Sequence, residues 1–351
     1  MDKAEHKPMP PTAPGAHEPD VHEPDVHEPD VHEPRPRNPL QRLYAAFESP
    51  GRRRALHAVI LTILIVTPWI SSQYTTVILT NALLYVVLCL GLNIVVGYAG
   101  LLDLGYAAFF AVGAYTAGIL TQQFGVNFWA AIPFALMAAA LAGVIIGGPT
   151  LRLRSDYLAI VTLGFGEIVR FTARNLEITG GASGLSQIPE PSLFGWHIDS
   201  SIDFYYVFAV LAVLAYIASQ RLFNSRLGRA WLYVRHDEDA AEAMGINRVT
   251  TKLAAYVIGA TFGAIGGIFF SVNLGAISPE SFSFQQSVMI LLAVVLGGMG
   301  KIPGVILGAF IVVLGPELLR DFGTLRLLIF AVLLLLIMLF RPSGIWPEKR
   351  S

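Results

Sequence analysis

Charge is scarce in this chain. Asp, Glu, Lys and Arg make up 14% of its 351 residues, against about 25% in soluble domains. Apolar residues reach 54%, and the formal net charge is −1. So few charges among long apolar runs cannot build a hydrated surface all round, so the chain reads as a polytopic membrane protein. The near-zero net charge gives no basis for nucleic-acid binding. Cysteine is almost missing too. Cys89 lies alone in an apolar run, which excludes an intrachain disulfide and a thiolate metal site. Outside the N-terminal tail, His57, His197 and His236 are scattered at no ligand spacing, which argues against an integral-membrane metalloenzyme. Gly297-Gly298-Met299-Gly300-Lys301 has neither the spacing of a phosphate loop nor its following Ser or Thr. The chain therefore carries no Walker-type ATPase of its own, and neither a cofactor nor a metal is expected in it.

Residues 1–50 form a low-complexity segment. His-Glu-Pro-Asp-Val starts at His17, His22 and His27, and begins again at His32. Proline at every fifth position blocks helix and ladder hydrogen bonds, and there is little apolar area to bury, so a disordered tail is expected. Metal capture by the spaced histidines and carboxylates is the sharper alternative, but a floppy chain offers no fixed coordination geometry. The tail is acidic and proline-rich without an apolar core, unlike a signal peptide.

Residues 51–346 read as an all-α membrane bundle of about eight to ten segments. Ten candidates lie near 55–71, 77–97, 100–121, 128–148, 156–173, 203–220, 253–275, 286–300, 303–319 and 325–340. Those near 100–121, 286–300 and 303–319 are short and read as broken or re-entrant helices. Arg52, Arg53 and Arg54 precede the first run, which sets the N-terminus in the cytoplasm. Ten crossings then put Arg152, Arg154, the polar 221–252 loop, Lys301 and the C-terminus on that same side, leaving Arg174, Arg320 and Arg326 outside. The bias matches the positive-inside rule.

Gly228 to Lys252 is the one long polar island. Within it, Asp237 can cap a short helix, Glu238 and Asp239 suit its N-terminal dipole, and Ala240, Ala241 and Ala243 favour helix. Gly245 is the expected left-handed stop. Such a segment is either a solvated loop helix or a small-faced helix that fits a partner's groove.

Three stretches are candidates for the transport path. From Asn93 to Tyr115, Gly97 and Gly100 separate two apolar runs with no polar loop, as in a broken helix whose freed backbone lines a cavity. Asp103 starts the second run, where capping and path-lining are both open. Glu167 and Arg170 are spaced to pair on one helix face, as a structural ion pair or as substrate contacts. Thr179-Gly180-Gly181-Ala182-Ser183-Gly184 falls in an outside loop, a flexible turn by composition that could receive a substrate or docking partner. Gly259, Gly263 and Gly267 recur every fourth residue and let another helix approach closely.

Together these stretches resemble one family. Gly97-Tyr-Ala-Gly100-Leu-Leu-Asp103-Leu-Gly-Tyr106-Ala-Ala-Phe109-Phe110-Ala-Val-Gly113-Ala-Tyr115, the run from Tyr157 to Arg170, Thr179 to Leu185, Ala240 to Asn247 and Leu296 to Gly300 are similar to motifs of branched-chain amino-acid ABC-transporter permeases. Their order matches too, over about 75–346, and points to the larger of the two permease subunits usual in such systems. Asp239-Ala240-Ala241 followed by Gly245 resembles the Glu-Ala-Ala-x-x-x-Gly loop with which importer permeases dock their ATPase, with Asp in place of Glu and without the apolar-proline tail.

The resemblance implies a non-enzymatic translocation subunit in a bacterial inner membrane. Its implied partners are a second homologous permease, two cytoplasmic ATPase subunits and an extracytoplasmic substrate-binding protein. Asp239, Ala240, Ala241, Glu242, Met244 and Gly245 would contact the ATPase. Asn93, Gly97, Gly100, Asp103, Tyr106, Phe109 and Glu167 are the candidates to line the path, and Thr179, Gly180, Gly181 and Gly184 to form the outside loop. Urea or short amides are alternative substrates in this family. An ion-coupled secondary transporter would carry more membrane carboxylates and an internal repeat.

Overall fold

A computed structural model of the chain describes residues 62, 64–150, 155–193, 196–340 and 344–346. The expected disordered tail, and residues 55–61 and 63 of the first apolar segment, lie outside the described residues. Among the described residues, helix dominates and strand is confined to two-residue pairs. In chain order the helices are α1 (Gln73–Leu92), continued by a π turn (Asn93–Tyr98), α2 (Ala107–Gln122), α3 (Phe128–Thr150) and α4 (Ser155–Asn175). After an irregular segment come α5 (Ser201–Phe223), α6 (Arg226–His236), α7 (Glu238–Ala243) and α8 (Arg248–Leu274). The chain closes with α9 (Phe284–Gly297), α10 (Ile302–Leu318) and α11 (Arg326–Phe340).

Gln73–Tyr98, Phe128–Gly148, Ser201–Phe223, Arg248–Leu274 and Pro279–Gly297 are long and apolar enough to cross a bilayer. Ala107–Gln122, Ile302–Leu318 and Arg326–Ile337 are apolar but shorter. The break expected before α2 is present: residues 99–106 leave helix, with Gly100 at φ +71°. Large apolar side chains are exposed along several helices. Phe134, Met137 and Leu141 on α3 and Leu335 and Leu339 on α11 all face outward, which suits a bundle whose solvent is lipid. The chain is a multi-pass helical membrane protein.

Without a hydrophobic force between helices in lipid, close van der Waals packing has to hold the bundle. The glycine series on α8 supplies it. Gly259 faces Val95 and the Gly91 carbonyl, Gly263 faces Phe109 and Tyr106, and Gly267 faces the backbone of Phe110 and Ala114. The α8 backbone thus lies directly on α1 and α2, as the spacing of these glycines expects. Tyr106 extends the contact by donating its hydroxyl to the Gly259 carbonyl, 2.9 Å away.

Candidate functional site

The polar island folds into two short helices carried between α5 and α8. Each begins with a side-chain cap: Ser225 Oγ accepts from Gly228 N (3.2 Å) for α6, and Asp237 Oδ1 accepts from Asp239 N (3.0 Å) and Ala240 N (2.9 Å) for α7. Asn247 Oδ1 does the same for α8, from Thr250 N (3.1 Å). α7 stops where Gly245 turns left-handed at φ +83°, with Ile246 N returning to the Ala241 carbonyl (3.0 Å). This is the C-terminal geometry that glycine allows at no steric cost.

Two cations at the start of α8 fasten α7. Lys252 Nζ reaches Glu238 (2.6 Å), while Arg248 reaches Asp239 (3.5 Å) and Glu242 (3.3 Å). Lys252 is buried, so α7 is fixed to the first turn of a membrane-spanning helix rather than hanging in a loose loop. The six residues of the motif divide by exposure. Ala241 is 3% exposed, covered by its own chain, whereas Met244 is 83% exposed. Asp239, Ala240, Glu242 and Gly245 are exposed as well. The small side chain at Ala241 is therefore set by internal packing, whereas Asp239, Ala240, Glu242, Met244 and Gly245 are open on the outer side.

Sequence reasoning gave no special role to Arg235 or Trp231, and the structure does. Trp231 is fully buried, donates Nε1 to the Thr251 carbonyl (2.7 Å) and stacks on Tyr98, with ring centroids 6.4 Å apart and planes at 14°. Arg235, in the last turn of α6, donates Nη1 to the Gly97 carbonyl. Its stem crosses Gly100, where a Cβ would come within 2.8 Å of Arg235 Cγ. From the other side, Gly300 N donates to Asn93 Oδ1 (2.8 Å). The π turn, the α9–α10 connection and α6 thus converge on Asn93, Gly97 and Gly100. These three path candidates form a packed junction in this conformation, with Asn93 and Gly97 buried. The only foresight available was the Asn-x-x-x-Gly-x-x-Gly spacing itself.

Of the remaining path candidates, Asp103, Tyr106 and Phe109 are buried inside the bundle and Glu167 is half-buried. Asp103 is 1% exposed, and its Oδ1 accepts from Gly105 N (2.8 Å), so it closes the turn before α2 rather than capping the helix. The first amide of α2, Ala107 N, instead donates to Ser287 Oγ on α9 (2.9 Å). Tyr106 and Phe109 are buried edge to face at 6.0 Å. Glu167 pairs with Arg170 (2.7 Å), whose other nitrogen reaches Glu280 (3.1 Å) in the 3₁₀ turn Pro279–Phe282. With Arg174 also reaching Glu280 (3.6 Å), the pair expected within one helix is a four-residue bridge from α4 to the turn before α9.

The Thr179–Gly184 turn is firmly built, against its flexible composition. Gly180, Gly181 and Gly184 all have positive φ, and Thr179 Oγ1 donates to the Ala173 and Leu176 carbonyls (2.6 and 2.7 Å). Leu185–Ser186 then pairs antiparallel with Ala276–Ile277 after α8. A groove of about 420 Å³ lies among α1, α8, α9 and α10, where Asn81, Leu84, Tyr85, Phe270, Gln286 and Val312 line it. Tyr85 donates its hydroxyl to Gln286 Oε1 across it (3.2 Å). Asn81 and the Gln285-Gln286 pair, in otherwise apolar helices, were the sequence sign of this groove.

The fold defines the class: a multi-pass helical membrane protein with a short ion-paired helix between two of its spans. Residues 74–340 match the family described as branched-chain amino acid transport system / permease component, and the chain belongs to that family. It is similar to the high-affinity branched-chain amino acid transport system permease protein LivM of Escherichia coli (strain K12). The identity is 42% over 326 residues, covering 86% of this chain and 77% of that protein. It is also similar to the probable branched-chain amino acid transport permease protein LivM of Methanocaldococcus jannaschii, at 29% identity over 321 residues, 76% of this chain and 91% of that one. The permease protein LivH of Escherichia coli (strain K12) matches at 25% over 288 residues, 74% of this chain and 90% of that protein. No solved structure matches.

Proposed function

We propose that this chain is the larger permease subunit of an ATP-driven importer for branched-chain amino acids in a bacterial inner membrane. Family membership supports the transport role. The observation that carries the coupling role is α7: capped at both ends, ion-paired to α8, and exposed along its length except at Ala241. A helix held this way can pass a displacement to a membrane span, which a solvated connector cannot. In this reading two ATPase subunits meet α7 and close on ATP, α7 moves with the start of α8, and the path switches between outward and inward access. A second permease completes the path, and a binding protein delivers substrate from outside. That both LivM and LivH of one organism resemble this chain supports a pair of homologous permeases. The chain's own role is to shape and move the path, with no covalent step and no bound cofactor.

Expressed with its partner subunits in a host lacking its own branched-chain amino-acid import, the chain should support ATP-dependent leucine uptake. Isoleucine and valine should compete with it and urea should not. Uptake of urea or a short amide in place of leucine would assign the other substrate class, and uptake driven by an ion gradient without ATP would overturn the reading.

The orientation follows from the basic loops, which set α6 and α7 in the cytoplasm with both termini. Ser183 and His236 are both exposed, so single cysteines there, with Cys89 replaced, should react with an impermeant maleimide from opposite sides. Reaction of both from the outer side would overturn this topology.

A further inference from the structure

We propose that Arg235 is the relay between the docking helix and the transport path: through it, movement of α7 reaches α1 and α9, the two helices that join the packed junction to the groove. The proposal rests on the coupling role of α7.

Arg235 stands two residues before Asp237, the cap of α7, in the last turn of α6. Its guanidinium holds the Gly97 carbonyl at the end of the π turn, where the helical ladder has run out. The cation therefore serves as the cap of α1 and lies at the negative end of its dipole. No carboxylate pairs with Arg235 among the described residues, so this carbonyl is its structural partner. Two features make the contact stiff. The Arg235 stem crosses Gly100, where a Cβ would come within 2.8 Å of Cγ, and Nη1 would lie 3.2 Å from a Cβ at Gly300. One turn earlier on α6, Trp231 stacks on Tyr98, the last residue of the same π turn. α6 thus grips the end of α1 at two points.

The element gripped is suited to movement. A π turn closes its hydrogen bonds one residue further along the chain than an α-helix, and such turns occur frequently at functional sites. Asn93, its first residue, accepts from Gly300 N just beyond α9, so a shift of the π turn also pulls the α9–α10 connection. α1 and α9 both run from this junction to the groove. Asn81, Leu84 and Tyr85 of α1 and Gln286 of α9 line it, and Asn81 lies about 24 Å along α1 from Gly97 at 1.5 Å per residue. The groove's two rigid walls therefore share their far ends with one arginine of the docking segment. A solvated arginine in a basic loop would have none of these constraints.

The test uses the complex purified through its ATPase, with Cys89 replaced and a single cysteine at Asn81. Its readouts are ATPase recovered per permease, leucine uptake, and the rate at which maleimide labels residue 81 with and without ATP and vanadate. With Arg235 present, the labelling rate should change on trapping. Arg235→Ala should retain the ATPase, lose that change, and lower uptake about tenfold, a typical size for coupling between sites. Arg235→Lys, which keeps a donor and a charge, should restore part of both. Three results would overturn the relay. If Arg235→Ala keeps the nucleotide-dependent labelling and full uptake, the relay fails while docking on α7 stands. If Arg235→Ala releases the ATPase as α7 variants do, the residue only shapes the docking surface. If the unsubstituted chain recovers no ATPase at all, the coupling role of α7 falls and the relay falls with it.

Discussion

Ala240→Glu and Gly245→Val should each leave this permease in the membrane at near-normal abundance and strip it of its ATPase. Neither residue touches a membrane span. Ala240 lies on the exposed side of α7, so a glutamate there costs the free chain little. In the docked complex the same carboxylate would be buried without a partner, a penalty of about 3–5 kcal/mol. Gly245 has open space around its Cα but a backbone at φ +83°. A β-branched residue there meets no neighbour, yet faces the left-handed backbone cost of about 1–2 kcal/mol. Its effect is therefore to unmake the stop of α7, and it should be the milder of the two. Ala241→Glu should behave differently. Ala241 is covered by its own chain, so a charge there dislodges α7 and lowers stability before any partner is involved. ATPase recovered per permease from detergent extracts, measured beside permease abundance and uptake, separates these outcomes. Full recovery and full transport in both Ala240→Glu and Gly245→Val would reduce α7 to a connector.

The other large effect is on assembly of the bundle itself. Gly267→Leu should sharply lower membrane abundance, whereas Gly148→Leu should leave it unchanged. At Gly267 a Cβ would collide with the Phe110 carbonyl and come within 2.8 Å of Ala114 N. Both obstacles are backbone of α2, which cannot rotate away as a side chain can. The cost should reach or exceed the upper end of the about 1–3 kcal/mol typical of overpacking, and in lipid no hydrophobic force compensates for a parted helix pair. Gly148 is also in a helix, but nothing lies within 4 Å of its would-be Cβ. Comparing the two separates a steric effect from the loss of glycine as such. Immunoblots of membrane fractions, with thermal aggregation of the detergent-solubilised protein, provide the measurement. Equal abundance of the two variants would show that the α2–α8 contact does not limit folding.

What could be read in advance was what depends on neighbours in the chain. Scarce charge and long apolar runs established a membrane bundle, because solvent preference is a property of a run of residues. Asp237 as a cap, Gly245 as a stop and the four-residue glycine period on α8 were legible because capping and helix faces follow from spacings of one to four residues. All three are present in the structure.

The tertiary structure decided which of those residues meet. The π turn with Asn93 and Gly97, Arg235 of α6 and Gly300 after α9 come together from three separate parts of the chain, and no periodicity links those parts. Arg235 read as one more charge in a basic loop, since its partner is a backbone carbonyl that no sequence marks. Ala241 read as part of a docking face, because helical spacing cannot distinguish a small residue packed on its own chain from one awaiting a partner. The 3% exposure of Ala241 and the 83% exposure of Met244 make that distinction. Arg170 likewise gained Glu280, far away in sequence, as a second carboxylate. Local patterns specify the helices and their ends, whereas the contacts that tie the docking helix to the path are set by how those helices cross.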